Sequence, residues 1–402
     1  NLLFVYDMSG TGTPVTNDAG KIQYYIDETG AAIYDAQASY SHWKIFVIAL
    51  IIITFVGVMI EYFFTRERIT EESMGSEETE TKAALPIGEQ AKICFKDRYW
   101  VIMMVFFFLY QFGGMIKNVS QNYFCTAMFA DSMGNYTVAY GGQLQGTLAI
   151  IGAIPTAIGM VIALPLANLL GSKGKAILSG AIVAVIGGVI GMLNPHSFVI
   201  VTISFVIKAL GSTPAMYLSL ALLADIFDHQ EAIHGVRTDG LSMTIYGAIM
   251  AGMTGVATGI LNIVLSNVGY SSSNISSPAI RAAMPWIFIA GETMCYLVIF
   301  LIFIFMGVEK FGKFDHLAIV ADQKAAALAE GREYISAEEK IRRDEGEEAY
   351  QAELKKQADA KAAEEKKLAA MSADARKALE DKEAKAHQEL NDLRKAKGRS
   401  AI

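Results

Sequence analysis

Cysteine is nearly missing from this chain. Cys94, Cys125 and Cys295 are odd in number and isolated, so neither a disulfide framework nor a thiolate metal site can be built from them. Small apolar filler is the role left to them. Charge is scarce as well: Asp, Glu, Lys and Arg make up 19% of the residues, and they crowd into the last quarter. A soluble domain of this length spreads its charges evenly. The imbalance therefore points to an integral membrane protein with a polar tail. The formal net charge of −7 gives no excess of base for nucleic acid. The metalloprotease HExxH, the GxSxG elbow, the Walker loop and a GxGxxG between strand and helix are all absent, so no enzyme class is indicated. No metal site or bound cofactor is expected. Residue 1 is Asn1, with neither an initiator methionine nor a signal peptide behind it. The chain reads as a piece of something longer.

Long apolar runs, in contrast, are plentiful. A helix needs about 20 apolar residues to cross a bilayer, and seven segments qualify: 43–64, 99–124, 143–170, 176–193, 198–223, 241–268 and 285–307. Backbone groups in lipid must be satisfied within the segment, so each is read as a helix. Lysine and arginine set the orientation. Arg66, Arg68, Lys82, Lys92, Lys96 and Arg98 follow the first span, Lys173 and Lys175 sit in the GSKGK turn, and the tail holds many more. The alternate loops carry only Lys21 and Arg281. Residues 1–42 are thus expected outside as a polar loop, with 65–98 and the tail, 309–402, in the cytoplasm. Gln90 to Arg98 is amphipathic and suits an interfacial helix. The tail is rich in Ala, Glu and Lys with i,i+4 opposite charges, and Leu368, Met371, Leu379, Leu390 and Leu393 are too sparse for heptads. A solvated, partly frayed helix is expected there.

Polar residues inside spans are costly and tend to line water-filled paths. The second span carries Gln111, Lys117, Asn118, Gln121 and Asn122. Gln111, Asn118 and Asn122 share one helix face with Gly114. Two readings fit this stripe: contact with a hydroxyl-rich ligand, or hydrogen bonds that join helices. Lys117 is placed to snorkel. Lys208 lies in the outer half of the fifth span, before the run Gly211-Ser212-Thr213-Pro214. That run should loosen the helix, with Thr213 and Ser219 bonding the freed carbonyls; Pro155 and Pro165 are similar kink candidates. Gly247, Gly252, Gly255 and Gly259 give the sixth span a small-residue face suited to close helix packing. Asn118, Asn135 and Asn274 begin N-x-S/T triplets, a weak signal.

The densest polar cluster is LLADIFDHQEAIHGVRTDG, Leu222 to Gly240. On a continuing helix Asp225 and Asp228 lie about one turn apart. Arg237 and Asp239 begin the next span, so a short loop brings acids and arginine together. A latch between helix ends and an ordinary solvated loop both fit that spacing.

LADIFDHQEAIHGVRTDG resembles the sequence between the tenth and eleventh helices of the glycoside–pentoside–hexuronide:cation symporters. These are melibiose-carrier-like members of the major facilitator superfamily. Asp225, Asp228, Glu231 and Arg237 follow that family's D-x-x-D, Glu, Arg order, and Asp239-Gly240 stands where Glu-Gly or Glu-Ser is usual. FFTRERI, Phe63 to Ile69, resembles the end of the sixth helix, and LLGSKGKAI, Leu169 to Ile177, the turn between the eighth and ninth. The resemblance runs from about Trp43 to Val308.

It implies an all-α membrane protein: a C-terminal six-helix bundle over 99–308, the last helix of the N-terminal bundle at 43–64, and a charged helical tail. The first five helices of the twelve would be missing partners from the same protein, and isolated transport by this piece is not expected. The implied function is uptake of a sugar or glycoside (galactoside, pentoside or glucuronide) with Na⁺ or H⁺, by alternating access in a bacterial inner membrane. Asp225, Asp228, Glu231, Arg237 and Asp239 would form a cytoplasmic gate, and Gln111, Asn118 and Asn122 would face the substrate cavity. Many relatives have a lysine in the eleventh helix where this chain has Ala251, so coupling through such a lysine is in doubt. The tail does not resemble the phosphotransferase-type domain some relatives append. Topology alone also fits a complete seven-helix receptor with a cytoplasmic signalling arm.

Overall fold

The computed structural model describes residues 5–16, 21–26, 33–64, 85–129, 138–271, 274–275, 277–331 and 333–402. Arg66, Arg68, Lys82, Asn135 and the end of FFTRERI lie outside the described residues.

Among the described residues, seven helices are long and apolar enough to cross a membrane. The chain opens with a two-stranded antiparallel hairpin, β1 (Thr13–Thr16) and β2 (Ile22–Ile26). The first membrane-length helix, α1, is Ala36–Phe64, and none of its most apolar stretch is buried. A short amphipathic helix, α2 (Ile87–Lys96), leads into the bundle, as expected for the stretch before Arg98. The bundle comprises α3 (Arg98–Phe129), α4 (Val138–Leu170), α5 (Lys173–Leu193), α6 (Phe198–His234) and α7 (Asp239–Asn267). A last span runs through α8 (Pro278–Pro285), a π-helical turn at Trp286–Ala290, and α9 (Gly291–Phe303).

Small residues set the closest packing. A methyl added at Gly180 of α5 would stand 2.5 Å from the Gly211 carbonyl oxygen of α6, and one added at Gly211 would stand 2.5 Å from the Ala184 nitrogen. Helices that lack a hydrophobic drive to associate in lipid gain their contact through such approaches. The other side of α5 meets α9, where Gly188 faces Thr293. The loosening expected at Gly211–Pro214 does not occur: α6 is continuous from Phe198 to His234. Ser212 donates to the Ala209 carbonyl at 2.8 Å and Thr213 to that of Leu210 at 2.7 Å. These hydroxyls bond carbonyls around the proline, which has no N–H to offer.

The glycine face of α7 also differs from expectation. Nothing lies within 4 Å of a methyl added at Gly247, Gly252, Gly255 or Gly259. Instead of packing against a helix, this face is open among the described residues. Gly114 of α3 is open in the same way.

Two apolar clusters fill the bundle. One, around Trp100, Phe106, Leu222 and Phe303, lies toward the α6–α7 turn. The other, around Phe124, Leu148, Phe205 and Phe288, lies toward the opposite end.

The tail is more structured than a solvated helix. Beyond a turn at Val308–Lys310 come α10 (Gly312–Ala329), α11 (Ala337–Glu345), α12 (Glu347–Ala369) and α13 (Ala373–Ala396). On α10, Asp315 bonds His229 Nδ1 at 3.0 Å, and His229 stacks on Phe311. The final helix, α13, buries Ala386, Leu390 and Arg394. Arg394 donates two parallel bonds to Asp322, at 2.9 and 2.8 Å, and a third to the Ala232 carbonyl of α6. Sparse leucines ruled out a coiled coil, yet one buried guanidinium with a fixed fork of donors is enough to dock the helix.

Candidate functional site: charges within and at the end of the bundle

The α6 helix outlasts its apolar run by about three turns, so the acidic cluster is carried on a rigid rod. Gly235 ends the rod with φ 73°, a left-handed cap that glycine adopts without strain, and its N–H bonds the Glu231 carbonyl. The chain then turns sharply into α7, and Arg237 sits in that turn. Its Nη1 donates to Asp228 at 2.7 Å and to Glu231 at 3.2 Å, while its Nε donates to Asp239 at 3.0 Å. One guanidinium thus holds acids from two consecutive helices. It remains 42% exposed, with Asp228 and Asp239 exposed to a similar degree. Ion pairs this wet are each worth about 0–1 kcal/mol, so the network is inexpensive to break and remake.

Asp225 does not join Arg237. Its carboxylate pairs with Lys173 of the GSKGK turn at 2.6 Å. One turn along the rod from Asp228, it points to a different neighbour. Glu309 completes this second network. It accepts from the Lys173 and Gly174 backbone nitrogens at 2.6 and 2.9 Å, and from the Ser172 hydroxyl. It thereby satisfies the orphan N–H groups at the start of α5. Beneath the exposed charges runs a buried polar chain: Gln230 donates to Asp97 at 2.8 Å and accepts from Thr238. Trp100 donates to Ser242 at 2.8 Å beside it. Together these bonds join α2, α3, α6 and α7 at one end of the bundle.

Deeper in the bundle is a charge cluster that the sequence did not announce. Lys117 on α3 and Lys208 on α6 converge on Glu292 of α9, at 3.2 and 2.5 Å. Lys208 and Glu292 are 6% and 5% exposed, and Lys117 is 22% exposed. The triad lies where one apolar cluster gives way to the other. Its placement has a local cause. Pro285 and the π-turn at Trp286–Ala290 widen the helix ahead of Glu292. The Ile289 carbonyl there accepts from Lys208 Nζ at 3.3 Å and from the Thr293 hydroxyl. Lys117 also lies over the Phe205 ring. The lysine expected to snorkel therefore turns inward to a buried carboxylate. Two lysines against one carboxylate leave a formal excess of one positive charge, and such a charge inside an apolar bundle costs several kcal/mol unless paired.

The amide stripe is partly engaged. Gln111 donates to the Met250 carbonyl of α7 at 3.4 Å, as helix-joining amides do. Asn118 is exposed and Asn122 Oδ1 is buried without a hydrogen-bond partner among the described residues. Gln111 therefore follows the helix-joining reading, Asn118 is open, and the Asn122 oxygen is enclosed. Asn118, Gly114 and the glycines of α7 leave open surface on neighbouring helices.

Residues 24–310 match the family described as MFS/sugar transport protein. The chain is also 25% identical, over 260 residues, to a protein named isoprimeverose transporter from Lactiplantibacillus pentosus. That alignment takes in 62% of this chain and 49% of the relative, so the chain spans about half the length of the transporter it matches. The match includes all seven membrane-length helices and both charge networks, and on that ground the chain belongs to the MFS/sugar transport protein family.

Proposed function

We propose that the chain carries the C-terminal bundle of a transporter that moves a sugar or glycoside across a membrane together with Na⁺ or H⁺. Transport would proceed by alternating access, with two bundles rocking about a midplane site. The observation that carries this reading is the contrast between the two charge sites. The Arg237 network is exposed, joins the ends of two helices and opens at little cost. The Lys117–Glu292–Lys208 triad is dry and holds three helices in fixed register. A moving mouth above a rigid centre is the mechanical arrangement that alternating access requires. Asp228, Glu231, Arg237 and Asp239 act as the gate, and Asp225 with Lys173 ties it to the neighbouring helix pair. Asn118, Asn122 and the open glycine face border the substrate path. The bulk of basic residues supports a cytoplasmic gate and tail.

The first substrate to test is isoprimeverose, which the relative is named for, followed by other glycosides. In the full-length carrier, uptake of the labelled sugar into vesicles should rise with an inward gradient of Na⁺ or of H⁺. Arg237→Ala should reduce uptake about tenfold or more, equivalent to ~1.4 kcal/mol on the limiting step, with membrane insertion unchanged. Full uptake by that variant would eliminate the gate. Uptake indifferent to both gradients would eliminate symport.

A further inference from the structure

A cavity of about 550 Å³ opens at the junction of α2, the end of α6 and the docked tail helix α13. This volume lies within the range that takes a small molecule. Lys92 and Lys96 line it from α2, and Lys397 lines it just beyond α13. None of these three ammonium groups has a carboxylate partner among the described residues. The acids on the same wall are mostly committed. Asp97 accepts from Gln230 and the Tyr99 nitrogen, and Glu389 pairs with Lys310 at 2.6 Å and Arg98 at 3.7 Å. The donors to Asp97 are neutral, so Asp97 keeps its charge, and together with Glu89 it offsets two of the three cations and leaves a positive excess. Apolar and aromatic side chains, among them Ile93, Tyr99, Ile233 and Phe311, form the rest of the lining.

We propose that this cavity binds a phosphate ester, with the phosphate among Lys92, Lys96 and Lys397 and the organic part against Tyr99 and Ile233. Several point charges around one anion suit a phosphate, which spreads its charge over several acceptor oxygens. Because the cations come from both α2 and the end of the tail, the bound ester holds α13 against the bundle. The ester is either a soluble metabolite or the headgroup of a lipid. The exposed Ile87 and Phe95 of α2 would bring the cavity to the membrane surface. The cavity shares Asp97 and Gln230 with the polar chain beneath the Arg237 gate but none of the gate's own charges, and its test measures no transport, so it stands or fails independently of the transport reading.

The test measures amide hydrogen exchange over residues 373–396 of the intact protein in nanodiscs. ADP and glycerol 3-phosphate are the soluble probes, and adenosine and glycerol are their uncharged counterparts. A phosphate-bearing probe that slows exchange saturably in phosphatidylcholine discs identifies a soluble ester. Slowing that appears only in discs containing phosphatidylglycerol identifies a headgroup. Either effect should weaken at least tenfold when Lys92, Lys96 and Lys397 are changed together to Gln, and should return when they are changed to Arg. The proposal is overturned if the uncharged compounds act equally, if the Gln variant responds like the parent, or if neither soluble probe nor phosphatidylglycerol alters exchange.

Discussion

Glu292 bears two lysines on one carboxylate in a setting with almost no water, and its removal is therefore costly. In Glu292→Gln, Lys208 and Lys117 face each other with no countercharge. Breaking a buried pair by removing one partner costs about 3–5 kcal/mol, so the thermal unfolding midpoint in detergent should fall markedly. Replacing Lys117 and Lys208 by Met and Glu292 by Leu together removes all three charges, and stability should largely return. Uptake should not return with it, because the charge is then gone from the bundle. A Glu292→Gln protein as stable as the parent would refute the buried triad. At this scale the sequence was only half legible. Lys117 and Lys208 stood out as charges in apolar runs, and the Arg237 cluster was visible through its spacing. Glu292 passed as one polar residue within a long apolar span. Its partners lie on two distant helices, and no local pattern brings them together. Asp225 was grouped with Arg237 because both lie in one short stretch, but its direction on the helix sends it to Lys173.

Helix existence was the most legible feature, and helix length the least. Apolar runs measure the thickness of a bilayer, so they end α6 near Leu223, whereas the helix continues to His234 in polar surroundings. The extra turns are what carry Asp225, Asp228 and Glu231. The tail was misjudged for a related reason. Leucine spacing reports an extended apolar seam, but α13 docks through Leu390, Ala386 and a single buried arginine. Arg394 is 1% exposed and forks onto Asp322, which also holds Arg399 at 2.6 Å. Arg394→Ala leaves Asp322 one remaining partner, so the expected loss is toward the lower end, about 2–3 kcal/mol. The result should be selective: amide exchange over 373–396 should rise while the spans stay protected. Arg394→Lys should restore only part of the docking, since an ammonium cannot make the two parallel bonds. Unchanged protection in Arg394→Ala would show that the apolar contacts alone hold the helix.

Across the whole molecule, charge and greasiness separate by end and by face. Lys173, Arg237, Lys310 and the docked tail gather at one end of the bundle. The turn after Asn267 and the hairpin before α1 carry few basic residues, so they are expected on the opposite side of the membrane. The apolar stretch of α1 and the small-residue face of α7 are both left open among the described residues, as surfaces that meet lipid or partner helices are. The sidedness can be read directly, because the three native cysteines are buried and give little background. Thr11→Cys and Asn267→Cys should react with a membrane-impermeant maleimide in intact cells. Lys385→Cys, exposed on α13, should react only after permeabilisation. Labelling of Lys385→Cys in intact cells would reverse the orientation and put the Arg237 gate at the outer mouth. Labelling of Thr11→Cys and Lys385→Cys from the same side would contradict an odd number of spans between them.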